Sequence, residues 1–289
     1  MKRRKFIGTS AAASVGLVAC KTTNAMAPST TESVKLKENI NHSVCRWCYG
    51  KIPLEDFLKS LNELGIKAMD LTGPEEWPIM KKYGIHSSMC WGAGFGIEKG
   101  WNDLSLHEEL IADYSQHIPK VAAAGYTNLI CFSGNRNGMD DAEGLKNCAE
   151  GLKKIMPIAE KHGVVLQMEL LNSKVNHPDY MCDTTPWGVE LCKAIGSENF
   201  KLLYDIYHMQ IMEGDIIRNI QDYNQYFGHY HTGGNPGRNE INDTQELFYP
   251  AIMKAILATG YTGYVAQEFI PTWDDKIAAL KEGITICDV

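Results

Sequence analysis

From residue 39 onward, short apolar runs alternate with longer stretches that carry an apolar residue at every third or fourth position. The runs have the length of buried strands, and the stretches have the periodicity of amphipathic helices. The pattern predicts eight strands, over residues 41–47, 66–71, 85–90, 127–132, 164–170, 201–206, 228–231 and 263–269. It also predicts eight helices, over residues 54–64, 77–82, 106–124, 142–162, 185–195, 215–226, 246–259 and 274–284.

Glycines mark the predicted helix ends shortly before the next strand, as expected for left-handed C-terminal caps: Gly65, Gly84, Gly125, Gly163, Gly196 and Gly260. Eight alternating units indicate an all-parallel sheet, and eight strands close a barrel. We therefore expect an α/β fold with a single (β/α)8 TIM barrel over residues 39–289. The alternative is a doubly wound open sheet, but the glycine-rich phosphate loop typical of that fold does not follow the first strand.

The first twenty residues have a different composition. A basic segment, Lys2 to Lys5, precedes an apolar stretch rich in Ala, Gly and Ser that ends at Cys20. Its arginine pair resembles a twin-arginine export signal, and the residues before Cys20 resemble a lipobox. We expect residues 1–20 to be a cleavable signal, Cys20 to be lipidated, and residues 21–38 to be a polar tether. This interpretation predicts an exported protein on the periplasmic side, anchored in a membrane by lipid.

The charge of the chain limits its partners. The formal net charge is −7, and removal of the four basic signal residues leaves 24 Lys and Arg against 35 acidic residues. Such an acidic protein is not expected to bind a nucleic-acid backbone, so the lipid at Cys20 is the only membrane contact predicted. The pair Cys45 and Cys48 has redox spacing, but it lies at the predicted first strand, which favours structural thiols.

Four predicted strands end in residues that can ligate a metal: Glu169, Asp205, His231 and Glu268. A single glutamate after a strand is usually solvated, but the carboxyl ends of barrel strands converge. The four positions together therefore predict a divalent-metal site. His229 faces the same side as His231, and we favour His231 because it lies nearer the strand end.

The segment from Tyr204 to Gln210 (YDIYHMQ), with Met212-Glu213-Gly214, Glu240-Ile241-Asn242 and Gly263 to Glu268, resembles xylose-isomerase-like barrels, especially hydroxypyruvate isomerase and its relatives. The resemblance covers about residues 40–285 and implies a metal held by the same four residues. Three carboxylates and one imidazole suit Mn²⁺, Mg²⁺ or Co²⁺, with Zn²⁺ as another option.

The resemblance implies that the substrate is a small hydroxy-ketone or sugar. Chelation of its ketone oxygen and neighbouring hydroxyl would acidify the intervening C–H and stabilise an enediolate. Glu169 and Glu268 are the expected acid–base pair. The resemblance implies that His208 contacts the substrate. A role as a helix cap or as a core histidine is the alternative for this residue. We assign further substrate contacts to Arg238, His86 and Asn172. Two alternatives stay open for Trp47, Trp91 and Phe95: they line a substrate pocket, or they pack in the core.

Several functions stay open. An isomerase of the hydroxypyruvate isomerase type is favoured, while His231 resembles the histidine of ketose 3-epimerases where hydroxypyruvate isomerases often carry glutamine. A keto-inositol dehydratase and a non-catalytic carbohydrate-binding lipoprotein are two further candidates. An abasic-site nuclease of the related fold needs three metals, and 9 histidines in an acidic chain argue against it. Assembly into a homo-oligomer is left open.

Overall fold

A computed structural model describes residues 35–289. It contains eight strands, all paired in parallel: β1 Asn41–Val44, β2 Ala68–Met69, β3 His86–Ser87, β4 Asn128–Cys131, β5 Val165–Glu169, β6 Phe200–Asp205, β7 Phe227–Thr232 and β8 Tyr264–Gln267. Six strands form one sheet in the order β1-β8-β7-β6-β5-β4, and β2 pairs with β3. Single bridges, Cys45 to Asp70 and Cys90 to Leu129, connect the two sheets. The result is a TIM-barrel-like α/β fold, as the pattern predicts.

The helices lie between the strands, within one to three residues of most predicted bounds: α1 Leu54–Glu63, α2 Trp77–Lys82, α3 His107–Ala123, α4 Asp141–His162, α5 Thr185–Ile195, α6 Ile206–Met212, α7 Ile216–Tyr223, α8 Tyr249–Ala258 and α9 Lys276–Cys287. Short 3-10 helices cover Arg46–Tyr49, Leu104–Leu106 and Asn224–Tyr226. The sequence pattern missed α6. Asp205 ends β6 and caps α6 by accepting a hydrogen bond from the His208 amide at 3.1 Å, so the chain turns into a helix without a loop.

Strands β2 and β3 are shorter than predicted. The predicted runs, together with Thr72 directly after the first of them, include polar side chains that bond to one another: the Ser88 hydroxyl lies 2.6 Å from an Asp70 oxygen, and the Thr72 and Ser87 hydroxyls lie 2.6 Å apart. These side chains are buried, and only isolated bridges continue the backbone pairing beyond each strand. Buried polar groups need hydrogen-bond partners, and these side chains are hydrogen-bonded to one another.

Period-2 alternation divides each central strand into two faces. In β5, Leu166 and Met168 belong to the apolar core, whereas Gln167 and Glu169 are buried polar residues on the other face. The Gln167 amide donates to Asn128 on β4 at 2.9 Å. The same face of successive strands therefore carries the buried polar side chains.

Residues 1–34, with the predicted signal, Cys20 and most of the predicted tether, lie outside the described residues. Lys37 contacts Asp288 through its amide and its ammonium, at 2.9 Å each. None of the helices within residues 35–289 has the length and hydropathy needed to cross a membrane. Cys45 and Cys48 are free thiols, and burial raises the pKa of each well above its ordinary value.

Candidate active site

The carboxyl ends of β5 to β8 bring four metal-competent side chains together. Glu169, Asp205, His231 and Glu268 are all buried, and each offers one ligand atom that lies within 4.8 Å of the other three. Asp205 is paired in register with His231 across β6 and β7, which fixes two of the four at the same height. The four residues singled out at the predicted strand ends are thus neighbours in space.

His231 is oriented by Asp70, a residue that the sequence pattern placed inside a strand and did not single out. The Nε2 atom of His231 lies 3.0 Å from Asp70 Oδ1. Its Nδ1 atom lies 2.6 Å from Glu268 Oε2 and 3.5 Å from Glu169 Oε1, in positions that form no hydrogen bond. Burial would lower the pKa of His231, but Glu268, Cys45 and Asp70 raise it well above its ordinary value, so the ring of the metal-free protein is protonated on both nitrogens. A metal bound at Nδ1 would displace that proton and leave the Nε2–H on Asp70.

The Asp70 carboxylate also contacts His229, which lies two residues before His231 on β7. The His229 Nε2 atom is 2.8 Å from Asp70 Oδ2, so His229 is not part of the four-residue cluster. Burial alone would raise the pKa of Asp70, but the two imidazoles hold it well below its ordinary value. Asp70 is therefore an anion at neutral pH, and the sole sequence signal for it was an acidic residue at the end of a short apolar run.

Arg238 reaches the cluster from the loop after β7. Its Nη2 atom lies 3.1 Å from Asp205 Oδ2 and 2.5 Å from Glu268 Oε2. Burial would raise the pKa of Glu268, yet Arg238 and His231 hold it well below the ordinary value. Burial raises the pKa of Asp205 to about 7, although Arg238 opposes the shift. One guanidinium thus faces three buried carboxylates.

Trp47 fixes the remaining oxygen of Glu268. Its indole N–H, presented by the 3-10 helix after β1, donates to Glu268 Oε1 at 2.8 Å. The guanidinium of Arg238 lies 5.3 Å from the Trp47 ring and 5.4 Å from the Tyr207 ring. Both carboxylate oxygens of Glu268 therefore have a defined neighbour.

His208 is fully buried beside Asp205. The Asn172 amide N–H donates to its Nδ1 at 3.1 Å, so the ring proton of a neutral His208 belongs on Nε2. Nε2 lies 3.6 Å from Asp205 Oδ2 and has no hydrogen-bond partner among the described residues. Burial, reinforced by the charge of Arg238, lowers the pKa of His208 well below its ordinary value. The imidazole is thus neutral, with its N–H on the Asp205 side.

Two residues assigned as substrate contacts lie elsewhere. Asn172 is fully buried, and its side chain contacts His208 Nδ1 at 2.6 Å and Asn176, so it holds the histidine in place. His86 is the first residue of β3 and stacks on Tyr264, the first residue of β8, with ring centroids 5.7 Å apart. It therefore lies at the amino ends of the strands, opposite the cluster, and this position gives no support to a substrate contact.

A cavity of about 410 Å³ opens above the cluster. Glu169, Glu268 and Arg238 form its polar part, and the other lining residues are Trp47, Leu71, Trp91, Ile97, Phe132, Leu171 and His177. A larger cleft of about 570 Å³ lies between the loop at residues 241–248 and α9, and it shares no lining residue with the cluster.

The cluster fits a divalent cation. Three carboxylates and one imidazole nitrogen form a hard donor set of the kind that binds Mn²⁺, Mg²⁺ or Zn²⁺. Buried charges require compensation, and Arg238 supplies one positive charge to the three acids. The Nδ1 of His231, which forms no hydrogen bond with the described residues, adds a buried nitrogen directed at the same carboxylates.

Comparison with known proteins identifies the family. The family model described as xylose isomerase-like TIM barrel matches residues 63–286. The chain belongs to this family. It is similar to the putative hydroxypyruvate isomerase of Homo sapiens, with 30% identity over 43% of the chain and 45% of the relative. It is also similar to the hydroxypyruvate isomerase of Escherichia coli (strain K12), with 28% identity over 63% of the chain and 69% of the relative.

Among solved structures, the family member resembles AP endonuclease, family 2 from Brucella melitensis, with a TM-score of 0.73, 23% identity, and coverage of 84% of this chain and 96% of that one. At this identity the likeness concerns the fold alone. The chain spans less than half the length of the first curated relatives that it matches.

Proposed function

We propose that the protein is a divalent-metal-dependent isomerase or epimerase of a small hydroxy-ketone or ketose. The observation that carries the proposal is the convergence of Glu169, Asp205, His231 and Glu268 beneath a cavity large enough for a small molecule. The similarity to hydroxypyruvate isomerases over 43% to 63% of the chain supports the reaction class.

The four residues would hold the ion, which, when bound, would polarise a ketone oxygen and its neighbouring hydroxyl. Of the four, Glu169 and Glu268 also line the cavity, whereas Asp205 and His231 do not. Glu169 and Glu268 are therefore the carboxylates that meet the substrate, and we assign them the proton transfers at carbon and oxygen. Asp205, tied to the α6 amide and to Arg238, serves as a ligand only.

The surrounding residues orient this pair. The Trp47 indole holds Glu268 Oε1, so the other oxygen is directed at His231 and Arg238. His208 carries its N–H on Nε2, held there by Asn172, on the side of Asp205. Because His208 is fully buried and does not line the cavity, it would orient Asp205 and not contact the substrate directly. Trp47 and His208 would thus position the ligands without moving a proton from carbon.

The test separates proton transfer from metal binding. Glu169→Gln and Glu268→Gln keep an oxygen ligand but lose the base, because a neutral amide does not accept the substrate proton. Each should lower turnover by about 10²–10⁴-fold. Metal occupancy should fall less than in Asp205→Ala, and Glu213→Gln, which changes a carboxylate that holds Thr185, is the control.

Solvent-deuterium incorporation into the substrate, read by NMR, reports the proton transfer directly. If both glutamine variants exchange the C–H at the wild-type rate with metal bound, the acid–base assignment fails. His208 would then become the leading candidate for the base. Product analysis in the same experiment distinguishes isomerisation from 3-epimerisation, which His231 favours, and from dehydration. A binding protein without turnover would retain its ligand after chelation and in Glu169→Gln.

Export and lipidation at Cys20 are part of the proposal, and they rest on residues 1–20 of the sequence. The wild-type protein should be recovered in the membrane fraction, and Cys20→Ala should release or mislocalise it. Accumulation of an unprocessed wild-type chain in the cytosol would contradict the signal-peptide interpretation.

A further inference from the structure

A second group of metal-competent side chains lies on the other side of the His231 ring. Cys45 Sγ is 3.6 Å from Asp70 Oδ1 and 3.8 Å from His231 Nε2, and Nε2 is 3.0 Å from Oδ1. We call these three fully buried residues the inner cluster. His231 belongs to both groups, because its Nδ1 faces the four-residue cluster and its Nε2 faces the inner cluster.

The spacing of the inner cluster suits a tetrahedral ion that accepts sulfur. Bonds of about 2.3 Å from Zn²⁺ to sulfur and about 2.0–2.2 Å to nitrogen and oxygen place neighbouring ligand atoms about 3.4–3.6 Å apart. The three observed distances, 3.0, 3.6 and 3.8 Å, depart from that range by roughly 0.4 Å at most. Thiolates favour thiophilic ions such as Zn²⁺, whereas carboxylates suit Mg²⁺ and Mn²⁺. The inner cluster therefore differs from the four-residue cluster in the metal that it prefers.

His229 provides an observation that does not depend on these distances. Its side chain is fully buried, and neither ring nitrogen has a hydrogen-bond partner among the described residues. Its Nε2 lies 2.8 Å from Oδ2 of Asp70, in a geometry that forms no hydrogen bond. Buried polar atoms normally have a partner, so an unpartnered nitrogen against the inner cluster is a candidate for the fourth ligand of a tetrahedral ion.

Proton bookkeeping makes the two clusters alternatives. A divalent ion in the inner cluster would displace one proton from the Cys45 thiol and one from His231 Nε2, so the net charge of the buried group would not change. A neutral imidazole offers a lone pair on one nitrogen and keeps a proton on the other. With the ion on Nε2, that proton stays on Nδ1, which faces Glu268 at 2.6 Å. The four-residue cluster would then lack its imidazole ligand.

We propose that Cys45, Asp70 and His231 form a second metal site, which binds a thiophilic divalent ion such as Zn²⁺. His229 is the candidate fourth ligand. Because the two clusters share one imidazole, an ion in either cluster weakens binding at the other. The second site stands without the proposed function. The competition rests on the proposed function, because it requires a catalytic ion in the four-residue cluster.

The probe for the site is ¹¹³Cd²⁺, added to the chelator-treated protein, because its NMR shift distinguishes thiolate ligation from ligation by oxygen and nitrogen alone. The wild type should give a resonance in the thiolate range, and Cys45→Ser should abolish it. Cys48→Ser is the matched control and should keep the resonance, because Cys48 is also a free thiol and is not a member of the inner cluster.

Two results would overturn the second site. One is a wild-type resonance in the oxygen and nitrogen range alone, a result that needs no substitution. The other is a thiolate resonance that persists in Cys45→Ser. Calorimetric titration with Mn²⁺ checks that Cys45→Ser is folded, because the four-residue cluster does not include Cys45 and its affinity should be close to that of the wild type.

Mg²⁺ tests the competition. Saturating Mg²⁺ should weaken Cd²⁺ binding at the inner cluster by roughly 5–150-fold, the usual range of coupling between two sites. Asp205→Ala, which lacks a ligand of the four-residue cluster, should keep the thiolate resonance and lose this effect of Mg²⁺. Simultaneous Mg²⁺ and Cd²⁺ binding without loss of affinity would overturn the competition. If Mg²⁺ does not bind the wild type and no divalent metal supports exchange, the proposed function fails, whereas the Cys45-dependent resonance would still establish the second site.

Discussion

Asp70 provides the sharpest test of how the site is organised. Its carboxylate lies 3.0 Å from His231 Nε2 and 2.8 Å from His229 Nε2, and it receives a hydrogen bond from the Ser88 hydroxyl at 2.6 Å. It is not among the residues that line the cavity. Asp70→Asn keeps the size of the side chain, removes the negative charge, and replaces one acceptor oxygen with a donor.

The expected effect follows from the tautomer of His231. With Asp70 ionised, Nε2 keeps its proton when a metal displaces the proton of Nδ1, which faces Glu268 at 2.6 Å. An amide at position 70 stabilises that arrangement less and can donate to Nε2, which would transfer the proton to Nδ1. Partners of metal-bound histidines typically contribute 10–100-fold to metal affinity. We therefore expect Asp70→Asn to weaken Mn²⁺ binding by about that factor, equivalent to about 1.4–2.8 kcal/mol.

Calorimetric titration of the chelator-treated protein with Mn²⁺ measures the affinity, and urea unfolding measures the stability of the metal-free protein. Asp183→Asn is the control, because it removes a similarly buried carboxylate that pairs with Arg136 at 3.0 Å, away from His231. It should reduce stability without weakening Mn²⁺ binding. Wild-type Mn²⁺ affinity in a folded Asp70→Asn protein, with the His231 tautomer unchanged by ¹⁵N NMR, would refute the reasoning.

Two further predictions concern the fold. Gly100→Ala should lower the free energy of unfolding by about 1–3 kcal/mol, because its methyl group would lie 2.4 Å from the Phe132 carbonyl oxygen. Gly50→Ala is the control for the same denaturation experiment. Its methyl group would lie 3.4 Å from the nearest atom, so its effect on stability should be close to neutral. Burial lowers the pKa of His42 despite the nearby Asp288, so the unfolded chain binds the extra proton below the unfolded pKa of about 6.5. The stability of the wild type should therefore decline relative to His42→Gln as the pH falls below about 6.5, and equal slopes across that range would contradict the assignment.

The part of the fold that could be predicted from sequence is the part governed by a strict period. Strands β5 and β7 alternate apolar and polar faces, and a one-residue slip of β7 would replace His231 by Tyr230 at the cluster. Because β5 and β6 are neighbouring parallel strands, the positions of Glu169 and Asp205 at their ends were sufficient to place both side chains in one site.

The residues that sequence analysis missed or left undecided come from irregular segments. Asp70 follows a strand of two residues, and Trp47 lies in a short 3-10 helix, where no period indicates which way a side chain points. His86 was misplaced for a different reason. It is the second residue of the predicted strand 85–90 and the first residue of β3, so both assignments put it at the amino end, away from the cluster. The helix α6 was missed because its cap, Asp205, was interpreted as the end of a strand alone.

Arg238 determines the charge balance of the site. It lies in the loop after β7, in a left-handed backbone conformation with φ 59°, and its guanidinium is committed to Asp205 and Glu268. Once Nδ1 of His231 has given up its proton, three carboxylates face the single positive charge of Arg238, which leaves two negative charges in excess. A divalent ion held by the four residues would offset both of them. The preference for a divalent cation over a monovalent one is therefore a consequence of this charge balance.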